Sequence, residues 1–153
     1  MRSSNWGDYV VSGTTMALIG EDPCSEYKTK IYDTKGIFYS KKTPLEILDE
    51  ACMKRFFTYS CQIKVVGKQL GYSRKTPLII CKDEMIYTFP TCAPTRQDCT
   101  WIFPKHIWQS SVKDKKVHIR FFNGEEINSN CSLAVFKKQQ YRLSHCFHSI
   151  HNR

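Results

Sequence analysis

Between Glu50 and Asp83 this sequence has no carboxylate side chain, yet it carries seven cations there: Lys54, Arg55, Lys64, Lys68, Arg74, Lys75 and Lys82. Solvated faces normally interleave the two signs, so a merely soluble surface accounts poorly for the segment. Other features are scarce as well. No apolar run approaches the ~20 residues of a membrane span, which excludes a membrane partner of that kind. The start, Met-Arg-Ser-Ser-Asn-Trp-Gly-Asp, has neither an apolar stretch nor a cleavage site. It reads as lacking a secretory signal, so the expected location is cytoplasmic. None of the eight cysteines forms a CxxC pair, which leaves structural zinc little support. Cys52, Cys81 and Cys146 sit in apolar runs and read as small buried hydrophobes in a reducing compartment. No GxSxG, HExxH, P-loop or GxGxxG pattern occurs, so the chain reads as non-enzymatic and free of cofactors. His145, Cys146, His148 and His151 make a loose cluster, but no acidic or paired cysteine ligand stands near it, and no metal is expected.

What is present suits one globular domain over residues 1–153. The chain is 41% hydrophobic and 13% aromatic, without repeats, low-complexity tracts or an internal linker. Asp8 to Val11 and Thr14 to Ile19 read as a hairpin turned at Ser12-Gly13. Tyr27 to Tyr32 and Ile37 to Ser40 read as strands. Thr43-Pro44-Leu45-Glu46 has the pattern of a capping box with proline at the first helical position. Leu45, Leu48, Cys52, Phe56 and Tyr59 continue at spacings of three and four, so a helix is expected from Pro44 to about Tyr59. Gln62 to Val66 reads as a strand, Gly67 to Lys75 as a loop, and Pro77 to Cys81 and Met85 to Phe89 as strands. His106 to Val112, Val117 to Phe122 and Glu125 to Asn128 read as further strands, with Asn123-Gly124 a type I′ turn signal. Ser132 heads a last helix whose stripe is Leu133, Phe136, Leu143, Phe147 and Ile150, with Gln140 in the gap. The expected class is α+β: a largely antiparallel sheet with one central and one C-terminal helix.

The net charge of +9 is concentrated. Residues 1–50 are net −2, 51–82 net +7, 83–126 neutral and 127–153 net +4. Phe56, Phe57, Tyr59 and Tyr72 are interleaved with the cations of the acid-free segment. Lysine and arginine among aromatics, without acids, point to phosphates, so Lys54, Arg55, Lys64, Lys68, Arg74 and Lys75 are the candidate nucleic-acid contacts. The segment 89–104, Phe-Pro-Thr-Cys-Ala-Pro-Thr-Arg-Gln-Asp-Cys-Thr-Trp-Ile-Phe-Pro, reads as a stiff loop between two anchored strands. It carries Arg96. A guanidinium on a fixed narrow projection suits the minor groove of A·T-rich DNA; equally, Arg96 could pair with Asp98. Lys113, Lys115 and Lys116 form a hairpin tip that reads first as a solvated turn.

Phe89-Pro90-Thr91, Thr95-Arg96, Cys99 and Trp101-Ile102 together resemble the signature of the ComK family, competence transcription factors of Gram-positive bacteria. Tyr9 to Leu18, Phe38-Tyr39, Pro44-Leu45, Ile47, Asp49, Cys52, Phe122-Asn123-Gly124, Gln139 and Tyr141-Arg142 agree in order and spacing, over about residues 8–145. The resemblance implies activation of DNA-uptake genes by binding double-stranded A/T-rich boxes through the minor groove, with DNA bending and assembly as dimers or tetramers. It also implies a nucleoid-associated location, and RNA polymerase and a Clp protease adaptor as partners. Two departures stand out. Cys61-Gln62 occupy the place of a Gly-Arg pair, leaving Lys64 as the substitute cation. The tail beyond Tyr141-Arg142 is short, and the alternative it implies is an activation-deficient DNA-binding or interaction protein of the same fold.

Overall fold

All strand pairings in the computed structural model, which describes residues 9–151, are antiparallel. β1 (Thr15–Gly20), β2 (Thr29–Asp33) and β3 (Gly36–Ser40) form a meander. Two helices follow, α1 (Pro44–Met53) and α2 (Tyr59–Leu70). β4 (Leu78–Cys81), β5 (Ile86–Pro90) and β6 (Thr100–Ile102) complete a six-stranded sheet of order β3-β2-β1-β6-β5-β4. A 3-10 turn at Pro104–His106 leads to a second sheet of β7 (Ile107–Lys113), β8 (Lys116–Phe121) and β9 (Glu126–Asn128). α3 (Leu133–His151) ends the described chain. The class is α+β, as the sequence pattern implies.

The large sheet separates two cores. On one face Leu18, Ile31, Leu78, Ile86 and Trp101 pack with Ile47, Leu48, Ala51 and Cys52 of α1. On the other, Ala17, Ile79, Phe89 and Ile102 meet Val117, Ile119 and Phe121 of β8 and Phe136, Leu143 and Cys146 of α3. Burying a large aliphatic or aromatic side chain is worth about 1.5–3 kcal/mol, so these two interfaces dominate stability. All eight cysteines are free thiols; Cys52 and Cys146 are buried and Cys81 is partly exposed.

Several expectations need correction. The first hairpin does not form: residues 9–12 are irregular, because β1 is already paired on both sides by β2 and β6 (Asp8 lies outside the described residues). The capping box is present as read, with Glu46 N bonded to Thr43 Oγ1 and Thr43 N to Glu46 Oε1. The helix it starts stops at Met53 rather than near Tyr59. Phe57 N–H bonds to Cys52 O and Phe56 N–H to Met53 O, a Schellman stop with Phe56 left-handed at φ 68°. Thr58 then caps a second helix, and Asp49 Oδ1 accepts from Tyr59 N at 2.8 Å. Hence Gln62 to Val66 is helix, not strand, and Gly67 to Leu70 is helix, not loop. Its β-branched residues mimic a strand locally, but Ile63, Val66 and Leu70 share one inward face, and Gly71 at φ 79° ends it. The type I′ turn lies at Asp114-Lys115, both left-handed, between β7 and β8. At Asn123-Gly124 only Gly124 is left-handed, its N–H closing on Phe121 O.

Candidate nucleic-acid interface

α2 converts the middle of the acid-free segment into a ridge. Lys64 and Lys68 stand one turn apart and exposed, following exposed Ser60 along a helix of about 18 Å. Lys54 is exposed just after α1, and Arg74 is exposed in the loop that leaves α2. None of these four cations makes an ion pair among the described residues. Of the other two candidates, Arg55 has its side chain engaged, while Lys75 is held by its backbone and its ammonium makes no ion pair among the described residues. Arg55 donates to Ala51 O at 3.1 Å and lies 3.6 Å from Glu84, bracing the turn between the helices. Lys75 is half-buried and left-handed, and its carbonyl is held from within. Lys82, the seventh cation of the segment, donates to Phe147 O at 3.0 Å over the Phe147 ring.

Arg96 sits on a closed loop. Thr91 N bonds to Thr100 O at its base, Arg96 N to Ala93 O, and Cys99 N to Arg96 O. The returning arm lies directly over Gly20, whose N–H donates to Cys99 O; a Cβ on Gly20 would stand 1.8 Å from Gln97 O. Glycine is therefore required there for close backbone approach. Cys99 is buried beneath the loop, and burial pushes its thiol up to about 12. The tip itself is electrically balanced: Arg96 Nε and Nη2 fork onto the two oxygens of Asp98 at 3.0 and 2.9 Å. That fork holds the Asp98 carboxyl below the usual carboxylate range. Arg96 borders a shallow groove with Glu21, Lys28, Thr43 and Leu45, at the N-terminal end of α1. Lys54 follows the opposite end of that helix.

What joins the basic segment to this loop is α3. Gln139 Nε2 donates to Lys75 O and to Pro90 O, both at 2.7 Å, while its Oε1 accepts from Arg142 Nη1 at 3.1 Å. One buried amide thus ties the basic loop after α2 to the strand end that enters the Arg96 loop. Arg142 stacks on Tyr72 at 4.2 Å, and Tyr72 Oη shares a 2.7 Å hydrogen bond with His145 Nδ1. Arg142 is buried without a carboxylate, and burial lowers its pKa from the ordinary guanidinium value. In the gap of the α3 stripe the buried residue is Gln139; Gln140 is exposed. No group of three or more metal-ligating side chains occurs among the described residues.

Gln62, standing where the resembled pattern has a cation, does something else. Its Nε2 donates to Ile79 O and its Oε1 accepts from Ile79 N, both at 2.7 Å. The side chain pairs with the edge strand β4 as another strand would and blunts that edge. Neither Gln62 nor Gln139 is legible as a site residue in the sequence. The available signal was a polar residue at helical spacing within an apolar face: Phe136, Gln139, Leu143, Cys146.

A protein-family model described as "ComK protein" matches residues 7–153, spanning ridge, loop and clamp alike. The chain belongs to the ComK family. It is similar to the competence transcription factor of Bacillus subtilis (strain 168), with 30% identity over 139 residues, 89% of this chain and 71% of that protein. No solved structure matches. ComK membership makes the chain a ComK-like transcription regulator, in a family of transcription factors rather than enzymes. Among the described residues no helix is long and apolar enough to cross a membrane.

Proposed function

We propose that this chain activates transcription of competence (DNA-uptake) genes by binding double-stranded A/T-rich DNA through the minor groove. The observation that carries this reading is the set of four exposed, unpaired cations, Lys54, Lys64, Lys68 and Arg74, in a segment without a carboxylate. These residues would neutralise phosphates and orient the chain, while Arg96 reads the groove by exchanging Asp98 for base edges and the deep negative potential of a narrow A·T tract. The exchange costs little, because the pair is exposed at 61% and 52% and already solvated. Gln139 keeps the basic loop and the base of the reader loop in fixed relation. Self-association as a dimer or tetramer would let copies occupy paired boxes, and an activator so placed would contact RNA polymerase.

Anisotropy titrations of an A/T-rich duplex against salt test the reading. Four phosphate contacts give a slope of log K against log salt near −3.6, from about 0.9 per contact. Replacing Lys64 and Lys68 by Gln should flatten that slope by about 1.8. A minor-groove ligand should displace the chain and a major-groove ligand should not. Arg96→Ala should weaken A/T-rich targets more than G/C-rich ones. Absence of binding at low salt, or displacement by the major-groove ligand alone, refutes the proposal.

A further inference from the structure

The stop of α1 uses a residue that physical chemistry disfavours there. In a Schellman motif the left-handed position is usually glycine, since a Cβ is penalised at positive φ. Here it is Phe56, at φ 68° and 97% exposed. The next residue, Phe57, packs toward the core of α1, so the turn had an inward place for one ring and presents the other to solvent. Among the described residues the Phe56 ring is left almost wholly to solvent. The turn is nonetheless firmly held, by the two Schellman hydrogen bonds, by Arg55 on Ala51 O and Glu84, and by the Thr58 cap of α2. A braced, outward aromatic in a costly conformation fits a residue kept for what it touches outside the chain.

Its surroundings specify the partner. Lys54 is exposed two residues before it, and the Ser60, Lys64, Lys68 stripe of α2 begins four residues after it. The two carboxylates that reach the turn are engaged, Asp49 by the Tyr59 N–H and Glu84 by Arg55, while Lys54, Lys64 and Lys68 make no ion pair among the described residues. An apolar ring at the head of a cationic ridge is complementary to a polyanion with stackable apolar planes inside it. Proteins that enter the minor groove insert Phe, Leu, Ile or Met between base steps in this way, unstacking and kinking the duplex.

We propose that Phe56 is a wedge that enters a base step of the bound duplex while Lys54, Lys64 and Lys68 hold the flanking phosphates. The inference rests on the DNA-binding reading above and adds the residue that deforms the DNA. A pyrimidine–purine TA step in an A/T-rich box is the expected point of entry, because such steps unstack most readily.

The test uses the full chain, with an A/T-rich duplex carrying 2-aminopurine at a TA step and a fluorophore pair at its ends. Wild-type chain should raise the 2-aminopurine signal and shorten the end-to-end distance. Phe56→Gly should abolish both changes and weaken binding roughly tenfold, within the range set by loss of one base–aromatic stack. Its Tm should rise by about 2–4 °C as the left-handed strain is relieved, which separates lost function from lost fold. Phe56→Leu should recover most of the kink. If Phe56→Gly binds and bends as wild type does, or alters only self-association, the wedge is refuted. Wild-type binding without a 2-aminopurine response refutes the wedge alone; no wild-type binding at low salt refutes the DNA reading with it.

Discussion

Gln139 offers a test in which two explanations of the same contact predict opposite signs. Its amide makes three hydrogen bonds in a buried setting, donating to Lys75 O and Pro90 O and accepting from Arg142. Each is worth about 1 kcal/mol net, and a buried group left unpaired costs about 1–3 kcal/mol. Gln139→Ala should therefore destabilise the fold by roughly 3–5 kcal/mol. At about 2–4 °C per kcal/mol for a chain this size, Tm should fall by about 10 °C. Gln139→Glu decides the cause. It supplies the buried Arg142 guanidinium with the carboxylate it lacks, but an ionised carboxylate cannot donate to two carbonyls 2.7 Å away. If the unpaired Arg142 charge dominates, Glu raises stability. If the two donations dominate, as the geometry indicates, Glu lowers it at least as far as Ala does. Urea and thermal unfolding at pH 7 measure this, with hydrogen exchange over residues 72–75 reporting local release of the basic loop. A Gln139→Glu chain as stable as wild type would show that the donations to Lys75 and Pro90 do not hold the two segments together.

Gln62→Ala should cost about 2 kcal/mol from its two bonds to Ile79 and, by opening the β4 edge, produce concentration-dependent light scattering. Gln62→Arg should not rescue it, since guanidinium has no acceptor for Ile79 N–H; full rescue would argue against the edge clamp. Gly20→Ala should displace the arm at Gln97 and expose Cys99, so thiol labelling of Cys99 should accelerate while α3 contacts persist; unchanged labelling contradicts the close approach. His106 Nε2 donates to Gly13 O at 2.7 Å, and burial lowers its pKa in the folded chain. The unfolded chain then binds the proton first, so this contribution is full above about pH 6.5 and is lost as pH falls through the folded pKa. Tm measured downward from pH 7 should decline less steeply in His106→Gln, which keeps a donor without titrating.

Local chemistry was legible wherever a few neighbouring residues settle the conformation. Thr43 and Glu46 start a helix because their side chains satisfy its first amides, and Pro44 adds a fixed φ with no N–H left to satisfy. The α3 stripe from Phe136 onward and the strands from Leu78 onward follow from apolar spacing, whereas Leu133, expected in that stripe, is exposed. Illegible features depended on competition with distant chain. Tyr9 to Val11 has strand-like composition, but both sides of β1 are taken by segments elsewhere in the sequence. Gln62 to Val66 has β-branched content, but the Thr58 cap, the Gly71 stop and an inward Ile63–Val66–Leu70 face place it in a helix.

For the site, the sequence by itself determined composition: where the cations are, that no acid interrupts them, and that Arg96 lies in a proline-stiffened loop beside Asp98. Charge and chain stiffness are properties of the residues themselves and survive any fold. Only the tertiary structure decided which cations are available. Arg55 and Lys82 are engaged by partners 29 and 65 residues away, while Lys54, Lys64, Lys68, Arg74 and the half-buried Lys75 make no ion pair among the described residues. It also turned Phe56 from one more residue of an apolar helical stripe into an exposed ring at a helix stop. Pairing and exposure are set by what the rest of the chain brings alongside, and no local pattern carries that information.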